Sequence, residues 1–363
     1  MNFALNIPIN SVSFGQVSVL LLRELYKRKI NPCIFPVGGE IDLSAQAEDK
    51  EFFEWFSKNI NKSLKEHKRS HPTFKLWHLS DSIESYSEKQ VLLSFHELDK
   101  ATEEELNIAK NNSKVLFSSN HSVNVFREAG CDNVDFIPLA FDNYNFTRLD
   151  KEYHKDDRIS FLLVGKYERR KGHSKVLEAW IENYADNKDF FLSCAVYNPF
   201  FKPEDNNKII AGALKGKKYF NIQFLGFMPK NSLYNDFLNS GDVVVGMSGG
   251  EGWALPEFQA TALGKHSVML NAHAHKDWAN EKNSVLVEPS EKMTAQDGLF
   301  FKPDGPFNQG DIFDFNQEDF IAGCEKAIER VKANRVNEEG LKLQQQFTAE
   351  KMVDKILETV ENL

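Results

Sequence analysis

At 363 residues the chain is long enough for two domains with separate cores, and 41% hydrophobic and 27% charged residues are ordinary for a globular protein. No uninterrupted apolar run reaches bilayer-spanning length, so a transmembrane segment is not expected. A formal net charge of −9 argues against wholesale wrapping of nucleic acid, and the scattered cysteines Cys33, Cys131, Cys194 and Cys324, with no Cys-x-x-Cys pair, argue against a zinc site or a disulfide framework.

The opening MNFALNIPIN lacks the positively charged region of a signal peptide, and a cytoplasmic protein is expected. Apolar runs of strand length then alternate with helical patterns, the signature of parallel sheets covered by helices. Residues 2–7 read as the first strand, followed by a loop through Ser11, Ser13 and Gly15 and a helix over 16–29 with Val17, Leu21 and Leu25. Strands are predicted over 31–37, 75–79, 91–95, 114–118 and 134–138, and helices over 101–110 and 123–128. The polar stretch 142–158 has no apolar periodicity and reads as a linker. The alternation restarts with strands over 159–164, 190–197, 222–224, 243–245 and 267–270, and the tail from residue 319 is a pair of amphipathic helices. The expected domains are therefore 1–150 and 151–345, with a C-terminal helix at about 346–363 packing back on the first.

Between residues 58 and 78 lies a basic segment, Lys58, Lys62, Lys65, Lys68, Arg69 and Lys75 with three histidines, against the single acid Glu66. One reading is a solvated helix face and its following loop; the other is a landing surface for an anionic acceptor, with Lys65, Lys68 and Arg69 as its contacts.

The most informative segment is Ser248-Gly249-Gly250-Glu251-Gly252-Trp253-Ala254-Leu255-Pro256, which follows a strand ending at Gly246. Its glycines allow a sharp turn and close approach to a ligand, and the helix beginning near Pro256 points free N–H groups and a positive dipole end at whatever binds there, favouring a diphosphate. A second strand ends at Gly165, with Lys166 and Lys171-Gly172 immediately beyond it. Cations leaving the carboxyl end of a strand lie where α/β sheets bind ligands.

These motifs resemble those of retaining GT-B glycosyltransferases, specifically family four of the sequence-based classification. That family carries Gly-Arg, a few residues, then Lys-Gly after a strand, where this chain has Gly165-Lys166 and Lys171-Gly172. It also carries Glu-Gly-Phe-Gly-Leu-Pro-x-x-Glu followed by Ala-x-Ala-x-Gly. Here the run is Glu251-Gly252-Trp253-Ala254-Leu255-Pro256-Glu257-Phe258-Gln259, then Ala260-Thr261-Ala262-Leu263-Gly264. The resemblance is dense over 159–289 and thinner before it. There Gly15 matches the family's glycine loop, Ser94-Phe95-His96-Glu97 its strand-end histidine, and Ile137-Pro138-Leu139-Ala140-Phe141-Asp142 the segment leading into the linker.

The resemblance implies an α/β chain with the GT-B fold, two Rossmann-like domains facing each other across a cleft. It implies transfer of a sugar from a UDP- or GDP-sugar with retention of configuration, and no cofactor or metal. Glu251 would hold hydroxyls of the donor sugar and His96 would lie beside the reacting centre. Gly15, Lys166, Lys171, Gly252, Trp253, Ala254, Leu255 and Gln259 would bind the donor. The acceptor is open: an anionic glycan, a lipid head group or DNA all suit the basic segment. Two departures matter. Gln259 replaces the glutamate that would bind the ribose, losing charge-assisted strength, and Lys166 replaces an arginine, losing a bidentate grip on phosphate. Glu257 is not expected to stand in for that glutamate, because residues two apart on a helix face different directions. These departures motivate an alternative, a nucleotide-sugar-binding protein of the same fold with impaired catalysis. His273 and His275 have no identifiable acidic or cysteine partner for a metal. No Gly-x-Gly-x-x-Gly turn follows the first strand, which argues against a Rossmann oxidoreductase.

Overall fold

The computed structural model describes residues 2–154 and 156–363, so Lys155, within the predicted linker, lies outside them. The chain divides into two compact units, one of Met1–Asn145, Pro303–Gly310 and Phe347–Leu363, the other of Phe146–Lys302 and Asp311–Gln346.

The first unit runs β1 (Ala4–Ile9), α1 (Ser13–Lys27), β2 (Cys33–Ile41), α2 (Lys50–Glu66), β3 (Thr73–Leu76), β4 (Gln90–Ser94), α3 (Glu103–Asn111), β5 (Lys114–Phe117), α4 (Asn120–Glu128) and β6 (Val134–Phe136). Its six strands are all parallel, in the order β2-β1-β3-β4-β5-β6. Helices cover both faces, which is why β1, β3 and β4 are buried along their whole length and read as continuous apolar runs. Local signals fix the helix starts. The Asp49 side chain accepts from Phe52 N at α2, Thr102 and Glu105 form a capping box at α3, and Ser119 accepts from Ser122 N at α4. The structure starts α1 at Ser13, three residues before the sequence pattern suggests, because no polar side chain marks its N-cap, Val12.

Two segments from late in the sequence complete this unit. Thr102 Oγ1 donates to Pro306 O at 2.7 Å, and Glu105 accepts from Asn308 N at 2.9 Å. The C-terminal helix Ala349–Glu361, capped by Thr348, packs on α1 and β3 and buries Met352, Val353, Ile356 and Val360, while Arg28 pairs with Asp354.

The second unit runs β7 (Ile159–Val164), α5 (His173–Tyr184), β8 (Phe190–Ala195), α6 (Pro203–Ala213), β9 (Ile222–Phe224), α7 (Asn231–Asn239), β10 (Val243–Gly246), α8 (Leu255–Ala262), β11 (His266–Leu270), β12 (Val285–Val287), a hairpin of β13 (Lys292–Thr294) and β14 (Asp311–Phe313), α9 (Gln317–Ala333) and the short α10 (Glu338–Leu341) and α11 (Leu343–Gln346). The main sheet is parallel in the order β12-β11-β10-β7-β8-β9, over a core that includes Phe161, Trp180, Phe315 and Phe320. Strand order reverses between β7 and β10. In open parallel sheets the crevice outside the carboxyl ends of strands at such a reversal is where ligands bind.

Ile356 is 1% exposed and Leu64, on α2, 89%. Ile356→Ala is expected to destabilise the first unit by about 2–5 kcal/mol, and Leu64→Ala by no more than about 0.5 kcal/mol. Urea unfolding measures both; an unchanged midpoint for Ile356→Ala would mean that the C-terminal helix is not docked.

Candidate functional site

The two loops singled out in the sequence leave adjacent strands, β7 and β10, at the reversal in strand order. After β7 comes Gly165 at φ 91°, then a single 3-10 turn, Arg169–Lys171, closed by Gly172 in the left-handed conformation before α5. The loop after β10 is laced to that turn. Gly249 N donates to Arg170 O at 2.8 Å, Ser248 Oγ to the same carbonyl at 3.2 Å, and Arg170 Nη1 to Gly250 O at 2.7 Å. Gly249 has no alternative, because an added β-carbon would overlap Phe313 O, and Phe313 N itself donates to Gly249 O at 2.9 Å. Ala254 is held at φ 64°, a strained conformation for a residue with a β-carbon, and it starts α8 without a side-chain cap. The first turn of α8 thus has no N-cap side chain; Pro256 carries no N–H and the Glu257 carboxylate accepts from its own backbone N–H, while the helix still presents its positive end there.

A buried cluster of charges fills the angle between the loops. Lys171 ion-pairs with Glu251 and lies 3.9 Å from Glu257; Arg170 bridges Glu251 and Glu168 at 3.0 Å each; Lys166 pairs with Glu168 at 2.9 Å. Glu168, Arg170, Lys171, Glu251 and Glu257 are all buried. Burial alone would raise the Glu251 carboxyl, but Lys171 and Arg170 outweigh it and hold it well below the usual range. Burial and the neighbouring Glu251 push Glu257 the other way, up to about 7. Burial would lower the Lys171 ammonium, yet Glu251 and Glu257 keep it protonated.

Of the residues named from sequence, Lys171, Glu251 and Lys166 are brought together, with Gly252 and Ala254 in the same loop and Leu255 opening α8. The Lys166 ammonium also lies over the rings of Phe200 and Phe300, at 4.8 and 5.0 Å. Trp253 is a packing residue: its ring meets Phe258 edge-on and its carbonyl accepts from Trp278 Nε1 at 3.0 Å. Gln259 is buried with its Oε1 lacking a hydrogen-bond partner among the described residues. Sequence reasoning missed Arg170 and Glu168, whose only signal was adjacency to Lys171, and set Glu257 aside. His173 and His275 lie close enough to feel the cluster's charges, and burial lowers them to about 3 and about 4, so both are neutral. Among the described residues no group of three or more His, Cys, Asp or Glu side chains is placed to hold a metal ion.

In the first unit, Gly15 lies in the first turn of α1, where a β-carbon would collide with Asn10 O, so the tight turn after β1 requires glycine. His96 follows β4 but is enclosed. Its Nε2 is 3.8 Å from Glu105 Oε2, its ring stands perpendicular to Phe126 at 5.1 Å, and its carbonyl accepts from Ser122 Oγ. The basic segment divides. Lys65 lies in the last turn of α2 and Lys68 and Arg69 follow it, so all three sit at the amino-terminal edge of the sheet, where Arg69 O accepts from Glu88 N just before β4. That is the edge opposite the strand ends where α/β sheets bind ligands. Lys75 belongs to buried β3, its ammonium donating to the Asp81 and Glu84 carbonyls at 2.6 and 3.2 Å. Lys65, Lys68 and Arg69 are exposed, whereas Lys75 is not.

No protein-family model matches the sequence, and no curated protein matches it in sequence. Solved structures match it in fold. HepE of Anabaena, in complex with UDP and glucose, matches with a TM-score of 0.68 and 13% identity over 100% of both chains. Sucrose-phosphate synthase of Thermosynechococcus elongatus matches at 0.66 and 12% over 100% of this chain and 98% of the other. The α,α-trehalose 6-phosphate synthase of Burkholderia multivorans matches at 0.65 and 12%, over 99% and 96%. At this identity the likeness is one of fold. Two parallel six-stranded sheets in two units make this the GT-B two-domain, Rossmann-like fold.

Gly249→Ala is expected to cost at least about 2 kcal/mol, since it must push Phe313 away and break the bonds that hold the loop. Thermal unfolding of the variant beside wild type measures this; equal midpoints would mean that the loop is not fixed as described.

Proposed function

We propose that the protein is a glycosyltransferase that takes a sugar from a UDP- or GDP-sugar, without a metal ion and with retention of configuration. The observation that carries this reading is the buried Lys171 and Arg170 pair, set beside the uncapped start of α8 at the strand reversal of the second unit. The UDP and glucose bound by HepE, a protein of the same fold, favour a UDP-sugar.

The chemistry follows from charge. As the bond from the anomeric carbon to phosphate breaks, negative charge grows on the departing diphosphate. Lys171, Arg170 and the N–H groups of α8 are fixed in a water-poor site where such stabilisation is strongest. Lys171 would exchange part of its pairing with Glu251 for phosphate oxygens, leaving Glu251 to accept from donor-sugar hydroxyls. The acceptor oxygen bonds to the anomeric carbon on the face that the phosphate leaves, and its proton passes to the departing phosphate oxygen. Gln259 would donate to and accept from the ribose hydroxyls. His96, held by Glu105, would shape the carboxyl end of β4 within the first unit. Lys171, held between Glu251 and Glu257, can turn to phosphate oxygens, so the diphosphate gains a counter-charge without a divalent ion. The competing reading, a binding protein with impaired catalysis, draws on Lys166, which is engaged by Glu168 and two aromatic faces. Turnover of any nucleotide sugar, including slow hydrolysis, decides against it.

Lys171→Ala is expected to weaken UDP-glucose binding by about 10-fold to 150-fold, the worth of one charged hydrogen bond. It should also lower stability by about 3–5 kcal/mol, because it strands buried carboxylates. The double variant Lys171→Ala with Glu251→Gln should recover part of the stability and none of the binding. Calorimetric titration and thermal unfolding read the two effects separately, and unchanged affinity in either variant would rule the role out.

Activity should survive chelation: transfer or donor hydrolysis with excess EDTA is expected to stay within about twofold of the untreated rate, since fixed cations and N–H groups stabilise the leaving group. Complete loss restored by magnesium or manganese would sink the metal-free mechanism.

A further inference from the structure

We propose that Glu257 couples donor binding to protonation: when a nucleoside-diphosphate sugar engages Lys171, Glu257 takes up a proton. The proposal rests on the reading of this site as a donor site and adds a residue that neither the family motif nor sequence spacing assigns.

Glu257 lies in the first turn of α8 and is 1% exposed. Its Oε1 is 3.9 Å from Lys171 Nζ, and its Oε2 is buried without a hydrogen-bond partner among the described residues. The side chain reaches this place because β10 ends in Gly246, where a β-carbon would come within 2.9 Å of Glu257 Cγ. The groups that face it are Lys171 and, through their charges, Arg170 and Glu251, with the half-buried Tyr234 on α7 and the Met269 thioether on β11 completing the surround. On the other side of α8, α10 and α11 present Gly340 to the Thr261 carbonyl and Gln344 to the Ala262 carbonyl, neither of them ionisable.

The charge count is tight. Lys166, Arg170 and Lys171 oppose Glu168, Glu251 and Glu257, and Lys171 is the one cation within ion-pair distance of Glu257 among the described residues. An incoming diphosphate brings at least two negative charges and draws on the Lys171 ammonium. Glu251 keeps Arg170, whereas Glu257 is left with no counter-charge and no solvent. A buried carboxylate in that position is far more stable protonated. The proton comes from solvent and no other bond changes. Glu257 thus acts through Lys171, as a positioning residue.

The sign of the linkage follows. The free protein's Glu257 is already raised to about 7, by burial first and by Glu251 next, and the bound state raises it further. Donor affinity is therefore full below that pH and falls as pH rises through it, by about tenfold between pH 6 and 8 for one linked proton. UDP-glucose is a suitable probe because its diester diphosphate does not titrate in this range. Calorimetry at pH 8 in buffers of different ionisation enthalpy is expected to show uptake of about 0.9 proton per UDP-glucose bound by wild type, and about 0.1 at pH 6. Glu257→Gln should bind with less than a twofold change across the range and take up no proton. Binding by wild type with a flat affinity from pH 6 to 8, or the same pH dependence in Glu257→Gln, overturns the proposal and leaves the donor site standing. The uptake is measured on wild type, so this result does not depend on how the variant folds. Failure of wild type to bind UDP-glucose and GDP-mannose at either pH overturns the donor-site reading and the proposal with it.

Discussion

The second unit is organised around one costly arrangement, a set of ionised side chains taken out of water between the ends of β7 and β10. Each buried ion costs several kcal/mol to desolvate, and mutual attraction offsets this only where geometry is good and the remaining hydrogen bonds are made. The surrounding backbone meets that condition. Gly165 and Gly172 bend the first loop so that Lys171 lies across the strand end, Gly249 lets the second loop touch Phe313, and Arg170 bonds to both side chain and backbone of that loop. A packed apolar cluster would hold the loops at lower cost. Charges kept there, beside the start of a helix with no side-chain cap, are what an anionic ligand can use, and strain at Ala254 in the same turn belongs to the same bargain of stability for function.

The parallel sheet explains why the charges meet where they do. Loops leaving neighbouring strands on the two sides of the reversal diverge above the sheet, and the gap between them cannot be filled by a crossover helix. Lys171 comes from one loop and Glu251 from the other, separated by 80 residues of chain and joined by the pairing of β7 with β10. The first unit has the same kind of reversal, at β1 between β2 and β3, and its tight turn at Gly15 stands there. It is also discontinuous. Residues 303–310 cap α3 through Thr102 and Glu105, and the C-terminal helix covers α1, so the first 145 residues alone would expose both.

Much of this was legible in the sequence because buried parallel strands read as uninterrupted apolar runs. The strands Ile159–Val164 and Ile222–Phe224 fall where the pattern puts them, and Lys114–Phe117 and Val243–Gly246 differ by a single residue at one end. The helix starting at Leu255 and the two glycine loops were equally readable, since glycine and proline act through the backbone. What stayed hidden depends on partners distant in sequence. A lysine in a basic run looks solvated until its strand is known, and Lys75 proves to be buried between β1 and β4 with carbonyls around its ammonium. His96 gives no sign in its own neighbourhood that Glu105 will enclose it from a helix beginning at residue 103. The place of Lys65 to Arg69 was hidden for a topological reason: a helix following a parallel strand runs back to the amino-terminal edge, and local sequence does not say which edge that is.

The pairing of Gln259 with Glu257 has a common electrostatic origin. Helical spacing correctly says that residues 257 and 259 do not share a direction, so Glu257 cannot take over contacts that belong to residue 259. It can, however, take over the charge. With Glu168, Glu251 and Glu257 already matched by Lys166, Arg170 and Lys171, a glutamate at 259 would be a fourth acid without a cation, buried on a helix that carries another acid one turn or less away. An uncompensated buried carboxylate is among the most destabilising changes a core can suffer, and an amide of the same shape avoids it while keeping one donor and one acceptor for hydroxyl groups. The amide at 259 and the acid at 257 are therefore best understood together: α8 carries one buried acid, and it is the one within reach of Lys171.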